Sequence, residues 1–140
     1  MTTSIDSNVI VALWKTEHPL NLIASRMLFR AMRQGNLVVC APVYSELMGD
    51  PDRTESELAE FVRDTRIAVD WDIEEEIWQE AGKAYQGYVR RRRKSSRDSP
   101  RRLLADFIIG AHALVHGYVL LSTDTGHYAA AFPRLKILSF

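Results

Sequence analysis

The chain has 140 residues, 46% hydrophobic and 26% charged, enough to bury a real core as one domain spanning residues 1–140. Eighteen basic and eighteen acidic side chains cancel, and the sequence pI of about 6.9 excludes a general attraction to nucleic acid or membrane. A lone cysteine, Cys40, excludes an internal disulfide; no apolar run approaches membrane-spanning length and Met1-Thr2-Thr3 lacks a basic signal start, so a cytoplasmic location is expected.

In chain order, Thr3 to Ile10 is a short apolar strand that runs into Asp6 and turns at once into a helix-like run through Trp14. It puts a carboxylate at the carboxyl end of the first strand, where open α/β sheets place their chemistry. Aspartate also caps helix starts, so that alternative stays open. Pro19 starts a longer helix carrying Leu20, Ile23, Ala24, Met27, Leu28, Ala31 and Met32 at helical spacing, and Gly35 ends it. Leu37 to Ala41 is a continuous apolar run, as expected of a strand buried on both faces, and Val43 to Met48 is a helical turn or two carrying Glu46.

Thr54 to Glu57 has the form of a capping box, and Ile67 to Val69 reads as a third short strand. Asp72 caps a long helix with three glutamates in its first turn and Ile73, Ile77, Trp78, Ala81, Tyr85 and Tyr88 on its buried face. A basic tract from Arg90 to Arg102 follows, read as an exposed loop or an extension of that helix, with Ser99 and Pro100 as cap and first position of the next. The helix Leu103 to His116 is apolar nearly all round and belongs deep in the fold. Val119 to Ser122 is a fourth strand, Thr125 to Phe132 a short helix and Leu135 to Leu138 a final strand. This alternation predicts a parallel α/β sheet covered on both faces.

Asp106 is the most informative single residue. It lies in the apolar helix in line with Gly110 and Ala113, whose small side chains predict open space beside its carboxylate. A buried carboxylate needs a cation or a hydrogen-bonding partner, and an ion pair with Arg102 at i−4 is the plain alternative. Asp124, after the fourth strand, repeats the placement of Asp6, although alone it reads as a turn or cap residue. Glu46 comes shortly after the second strand; alone it reads as a solvated helix residue. Four carboxylates, Asp6, Glu46, Asp106 and Asp124, can thus meet above one sheet edge, and such repulsion makes sense mainly as a cage for a cation. All-oxygen ligands suit magnesium or manganese. His112 and His116, on the buried helix without a cysteine or close histidine partner, are read as packed or capping residues rather than ligands.

Asp6-Ser7-Asn8 after a first strand, Glu46 after a second, Ala105-Asp106-Phe107-Ile108-Ile109-Gly110-Ala111 in a helix and Leu121-Ser122-Thr123-Asp124-Thr125-Gly126-His127-Tyr128 after a strand together resemble the PIN-domain ribonucleases. More narrowly, the pattern is similar to the VapC toxins of toxin–antitoxin pairs. The resemblance covers nearly the whole chain, through Phe132 to Leu138, and rests on four acids in order rather than on one specific motif. It implies a PIN-like fold with strand order 3-2-1-4-5 and helices on both faces. It also implies metal-binding acids at Asp6, Glu46, Asp106 and Asp124. The family's Thr-x-Asp motif is matched with serine at Ser122, whose hydroxyl can still bond to an acid or metal-bound water; Tyr128 stands where the family often has phenylalanine. The basic tract is longer than family members usually carry.

The expected activity is magnesium-dependent endoribonuclease action through metal-activated water, leaving a 5′-phosphate. Arg91, Arg92, Arg93, Arg101 and Arg102 are candidate RNA phosphate contacts. The resemblance further implies an antitoxin partner and a homodimer, with no membrane association. A non-cleaving PIN-like RNA-binding or regulatory module is the competing expectation, and a DNA nuclease a third.

Overall fold

A computed structural model describes residues 1–94 and 101–138. The elements are β1 (Thr2–Ile5), α1 (Ser7–Trp14), α2 (Asn21–Gln34), β2 (Asn36–Cys40), α3 (Ala41–Met48) and α4 (Glu55–Thr65). They continue with β3 (Ala68–Asp70), α5 (Glu75–Lys94), α6 (Leu104–His116), β4 (Val119–Leu121), α7 (Thr125–Ala131) and β5 (Ile137–Leu138). The sheet has the order β3-β2-β1-β4-β5, and every neighbouring pair is parallel. The order implied by the PIN resemblance is therefore the observed one.

Side chains alternate faces along a strand, yet Thr3, Ser4 and Ile5 are all buried, so both faces of β1 are covered. Val38, Val39 and Cys40 repeat this in β2. Seven helices supply the cover among the described residues. The deepest is α6, whose run from Phe107 to Ala113 is buried without interruption, as its sequence demanded. Its packing on α5 joins Phe107 to Tyr85 and Tyr88, with ring centroids 5.2 and 5.4 Å apart.

Local signals hold at most ends. The Thr54 hydroxyl accepts from the Glu57 N–H at 3.1 Å, and Glu57 Oε1 accepts from the Thr54 N–H at 3.2 Å, a complete capping box. Helix α2 begins at Asn21 rather than Pro19, and the Asn21 amide donates to the Ala12 and Leu13 carbonyls, capping α1. Of its predicted apolar stripe, Ala24, Leu28 and Ala31 are buried, whereas Ile23 and Met32 face outward.

Three expectations are corrected. Asp72 does not cap α5: its N–H donates to Asp70 Oδ1 at 3.1 Å, a turn that keeps residues 71–74 out of the helix until Glu75. Trp78, expected on the buried face, is half exposed. The open space expected beside Asp106 exists but is not left by Gly110: the buried Phe132 ring fills the place of that glycine's missing Cβ, and the space Asp106 borders is lined by other residues. The basic tract is helical through Lys94, continuing α5; its Ser95, Ser96, Ser99 and Pro100 lie outside the described residues. Leu103, in extended backbone, holds the cap position of α6.

Candidate functional site

Parallel strands all end at one edge of the sheet, and β1 and β4 are neighbours there. Asp6 is the first residue beyond β1, its N–H donating to the Leu121 carbonyl at 3.0 Å as if the ladder continued. Ser122 and Asp124 are the first and third residues beyond β4. Glu46 comes from α3, which starts where β2 ends, and Asp106 from the first turn of α6. Four carboxylates from segments far apart in sequence are thus delivered by topology to one edge.

The capping alternative for Asp6 is not what the structure shows. Asp6 occupies the cap position of α1 but makes no side-chain cap bond. Its Oδ2 instead accepts from Ser122 Oγ at 2.8 Å and from Asn8 Nδ2 at 3.1 Å. Ser122, fully buried, also accepts from the Asp124 N–H at 3.0 Å and from Asn8 Nδ2 at 3.3 Å. Asn8 Oδ1 accepts from the Thr123 N–H at 3.1 Å, which closes the network across the β1 and β4 ends. Asp124 likewise heads α7 without a side-chain cap bond. Ser7 Oγ donates to Glu46 Oε1 at 3.1 Å.

The acids lie within one another's field. Burial pushes the Asp6 carboxyl above the usual range, the Ser122 and Tyr128 hydroxyls hold it down in part, and the charge of Asp106 raises it further. Glu46 is raised by burial and by Asp6 and Asp106, against the Ser7 hydrogen bond. Asp106 is raised by burial and by Asp124, against His127 and Arg102. The charges of Asp6, Asp106 and Asp124 thus each raise another acid of the group, as neighbouring carboxylates do. Such a donor set is all oxygen and half-buried, which suits a hard divalent ion that keeps part of its water shell.

Arg102 is the unanticipated member. Its guanidinium bonds both Asp124 carboxylate oxygens rather than pairing with Asp106, the pairing that i−4 spacing suggested. A candidate RNA contact thus stands on a candidate metal ligand. Beside it a cleft of about 490 Å³ is lined by Tyr88, Arg91, Arg101, Arg102, Asp106 and His127 among others. Arg92 and Arg93 border a smaller adjoining hollow with Arg101. The local excess of arginines is hidden by the zero net charge of the whole chain.

Sequence reasoning gave no role to Asn8, to His127 or to the Tyr128 hydroxyl. Asn8 bridges Asp6 to the β4 end, and Tyr128, buried, bonds Asp6 and is raised by burial and by the surrounding acids. His127 packs edge-on against Phe107 at 5.1 Å and lies within the field of Asp106 and Asp124. Their adjacency in sequence to Asp6 and Asp124 was the available signal. Cys40, fully buried with its thiol pushed up to about 12 by burial, is no nucleophile. The reading of His112 and His116 as packed or capping side chains is incomplete: both meet Asp70, at a separate place on α6.

No curated protein matches the chain by sequence. Among solved structures, VapBC2 from Rickettsia felis, determined bound to a DNA fragment from its promoter, aligns over 100% of this chain and 99% of its own, at 16% identity and TM-score 0.71. VapBC-1 from nontypeable Haemophilus influenzae aligns over 99% and 98%, at 20% identity and TM-score 0.69. VapC20 of Mycobacterium tuberculosis, described as a sarcin-ricin loop cleaving toxin, aligns over 96% and 98%, at 16% identity and TM-score 0.63. At these identities the likeness is one of fold. The PIN domain model matches residues 4–133, which takes in all four acids, β2, β3, β4 and the second half of β1 but not β5, and the chain therefore belongs to the PIN domain family.

Proposed function

We propose that the protein is a magnesium-dependent endoribonuclease, the toxin of a toxin–antitoxin pair, with residues 1–140 acting as one PIN unit in the cytoplasm. The observation that carries this is the placement of Asp6, Glu46, Asp106 and Asp124 at the carboxyl edge of the sheet, with Ser122 joining the Asp6 carboxylate to the Asp124 backbone where β1 and β4 end. Repulsion among them is a standing cost to the fold, and a hard cation relieves it. Magnesium, with manganese as the alternative, fits the all-oxygen donors and supplies Lewis acidity toward water and the phosphodiester.

In this reading Asp6, Asp106 and Asp124 hold the ion, directly or through water. Ser122, Asn8 and Tyr128 fix the Asp6 carboxylate so that its oxygens need no reorganisation when the ion arrives. Glu46, raised by burial and its acidic neighbours, orients the attacking water and takes its proton. Arg102 neutralises Asp124 in the absence of RNA and can swing to a phosphate, whose charge matches its fork. Arg91 and Arg101 extend that phosphate track along the cleft, with Arg92 and Arg93 beyond. Attack by water rather than by the ribose 2′-hydroxyl leaves a 5′-phosphate.

The VapBC neighbours support an antitoxin protein as partner, and the family resemblance supports a homodimer. The deciding experiment is cleavage of a mixed RNA substrate with magnesium and with EDTA, by wild type and Asp6→Asn. Wild-type cleavage should need the metal and yield 5′-phosphates, and Asp6→Asn should lose at least about 100-fold, the scale of one preorganised electrostatic contact. Equal activity in both proteins, or 2′,3′-cyclic products, would defeat the assignment.

A further inference from the structure

A second group of donors lies on α6, away from the acids. His112 and His116 are four residues apart, so they share one face of the helix, with ring centroids 4.8 Å apart. That face meets Asp70, the last residue of β3, and Glu74 just before α5. His112 Nε2 lies 2.9 Å from Asp70 Oδ2; His116 Nε2 lies 3.7 Å from the same oxygen and 3.4 Å from Glu74 Oε2. One donor atom each from Asp70, His112 and His116 fall within 4.8 Å of one another.

An ordinary histidine–aspartate hydrogen bond explains the His112 contact. It does not explain His116, whose Nε2 is covered from solvent and makes no hydrogen bond while two carboxylates stand around it. A covered ring nitrogen facing acids without bonding them is costly unless something lies between. The spacings say what. Ligands about 2.0–2.1 Å from a tetrahedral ion are separated from one another by roughly 3.3 Å. The separations from Asp70 Oδ2 to His112 and His116 and from Glu74 to His116, 2.9, 3.7 and 3.4 Å, lie near that value, and no pair among the Asp70, His112 and His116 donors exceeds 4.8 Å.

We propose that Asp70, His112 and His116 form a transition-metal site for zinc or a zinc-like divalent ion, with Glu74, beside His116, at its rim. Two imidazoles and a carboxylate suit such an ion and not magnesium, so the site is chemically distinct from the oxygen-only acids. It is also distant: His112 and His116 lie six and ten residues beyond Asp106, roughly 9 and 15 Å along the helix. Its role is a clasp. β3 is a three-residue edge strand held by β2 alone, and the ion ties its end to the buried α6. The proposal does not depend on RNA cleavage.

The test is titration of the metal-stripped full chain with cobalt(II), then zinc, in excess magnesium to occupy oxygen-only sites. Wild type should take one equivalent of cobalt with the intense visible bands of a tetrahedral nitrogen-containing site, bleached by one equivalent of zinc. Asp106→Asn should behave identically. His116→Ala and Asp70→Asn should bind more than about 100-fold more weakly. Zinc should raise the thermal midpoint of wild type and of Asp106→Asn but not of the other two. Should His116→Ala fail to fold, the half-buried Asp70→Asn decides alone. Absence of the bands in wild type, their persistence in Asp70→Asn, or their loss in Asp106→Asn overturns the proposal, whatever the outcome of the RNA assay.

Discussion

Asp6 is ordinary as a residue and unusual only in where it is held. It is 5% exposed, and burial with the charge of Asp106 raises its carboxyl, so its ionised form opposes folding. Glu46 and Asp106 are raised for the same reason. A group whose folded-state value lies above its unfolded one stabilises the fold while protonated and loses that contribution as pH rises through the raised value. Without divalent ions, the thermal midpoint should therefore fall as pH rises from about 4 through the raised values of these acids, and magnesium should flatten the fall. Asp6→Asn keeps an oxygen for Ser122 and removes the charge, so it should raise the metal-free midpoint at neutral pH while abolishing the magnesium response. Melting curves across pH with and without magnesium check both. A metal-free midpoint indifferent to pH above about 4, or an Asp6→Asn variant less stable than wild type at neutral pH, would show that the acids are not repelling one another. Asp6 and Asp124 could be singled out beforehand because each follows an apolar strand. That Arg102 sits on Asp124 was not legible, since i−4 spacing pointed to Asp106 and the backbone before α6 decides otherwise.

Helices were legible where a local rule governs their ends and uncertain where a tertiary contact does. The Thr54 capping box starts α4 as written, whereas α5 starts three residues after Asp72 because Asp70 captures its N–H. Gly110 illustrates the limit. In sequence it reads as room beside Asp106, but Phe132, more than twenty residues later, occupies the place of its missing Cβ. Two glycines in helices should thus respond oppositely to alanine. Gly110→Ala drives a methyl into the buried Phe132 ring and should cost about 1–3 kcal/mol. Gly82→Ala, exposed on α5 with nothing within 4 Å of the added carbon, should gain about 0.5–1 kcal/mol from backbone entropy alone. Urea unfolding of both variants measures this. A neutral Gly110→Ala would mean that the ring yields freely and that α6 is not clamped by α7 and the Phe132 turn.

At the scale of the whole molecule, composition misleads and topology corrects it. Continuous apolar runs made the parallel sheet legible, and a parallel sheet brings every strand's carboxyl end to one edge, so four acids of unremarkable local sequence come to the same side of the sheet. Charge does the reverse: a net value of zero hides a cleft in which Arg91, Arg101 and Arg102 stand beside Asp106. If RNA lies along that cleft, each arginine on a phosphate releases counterions, and the logarithm of affinity falls with the logarithm of salt by about 0.7 per contact on a single strand. Binding of a fluorescent single-stranded RNA by Asp6→Asn, which should hold but not cut it, should therefore lose about 0.7 in slope with Arg91→Ala or Arg101→Ala, and about 1.4 with both. Arg26→Ala with Arg30→Ala, a pair of exposed arginines on α2, should leave the slope unchanged. Equal losses from the two pairs would mean diffuse attraction to the whole surface, and no loss from the first pair would take the cleft out of RNA binding. The arginines of the cleft then differ from the rest of the surface by position alone, set by α5 continuing through Lys94 and by the backbone of residues 101–103 turning into α6 next to the acids.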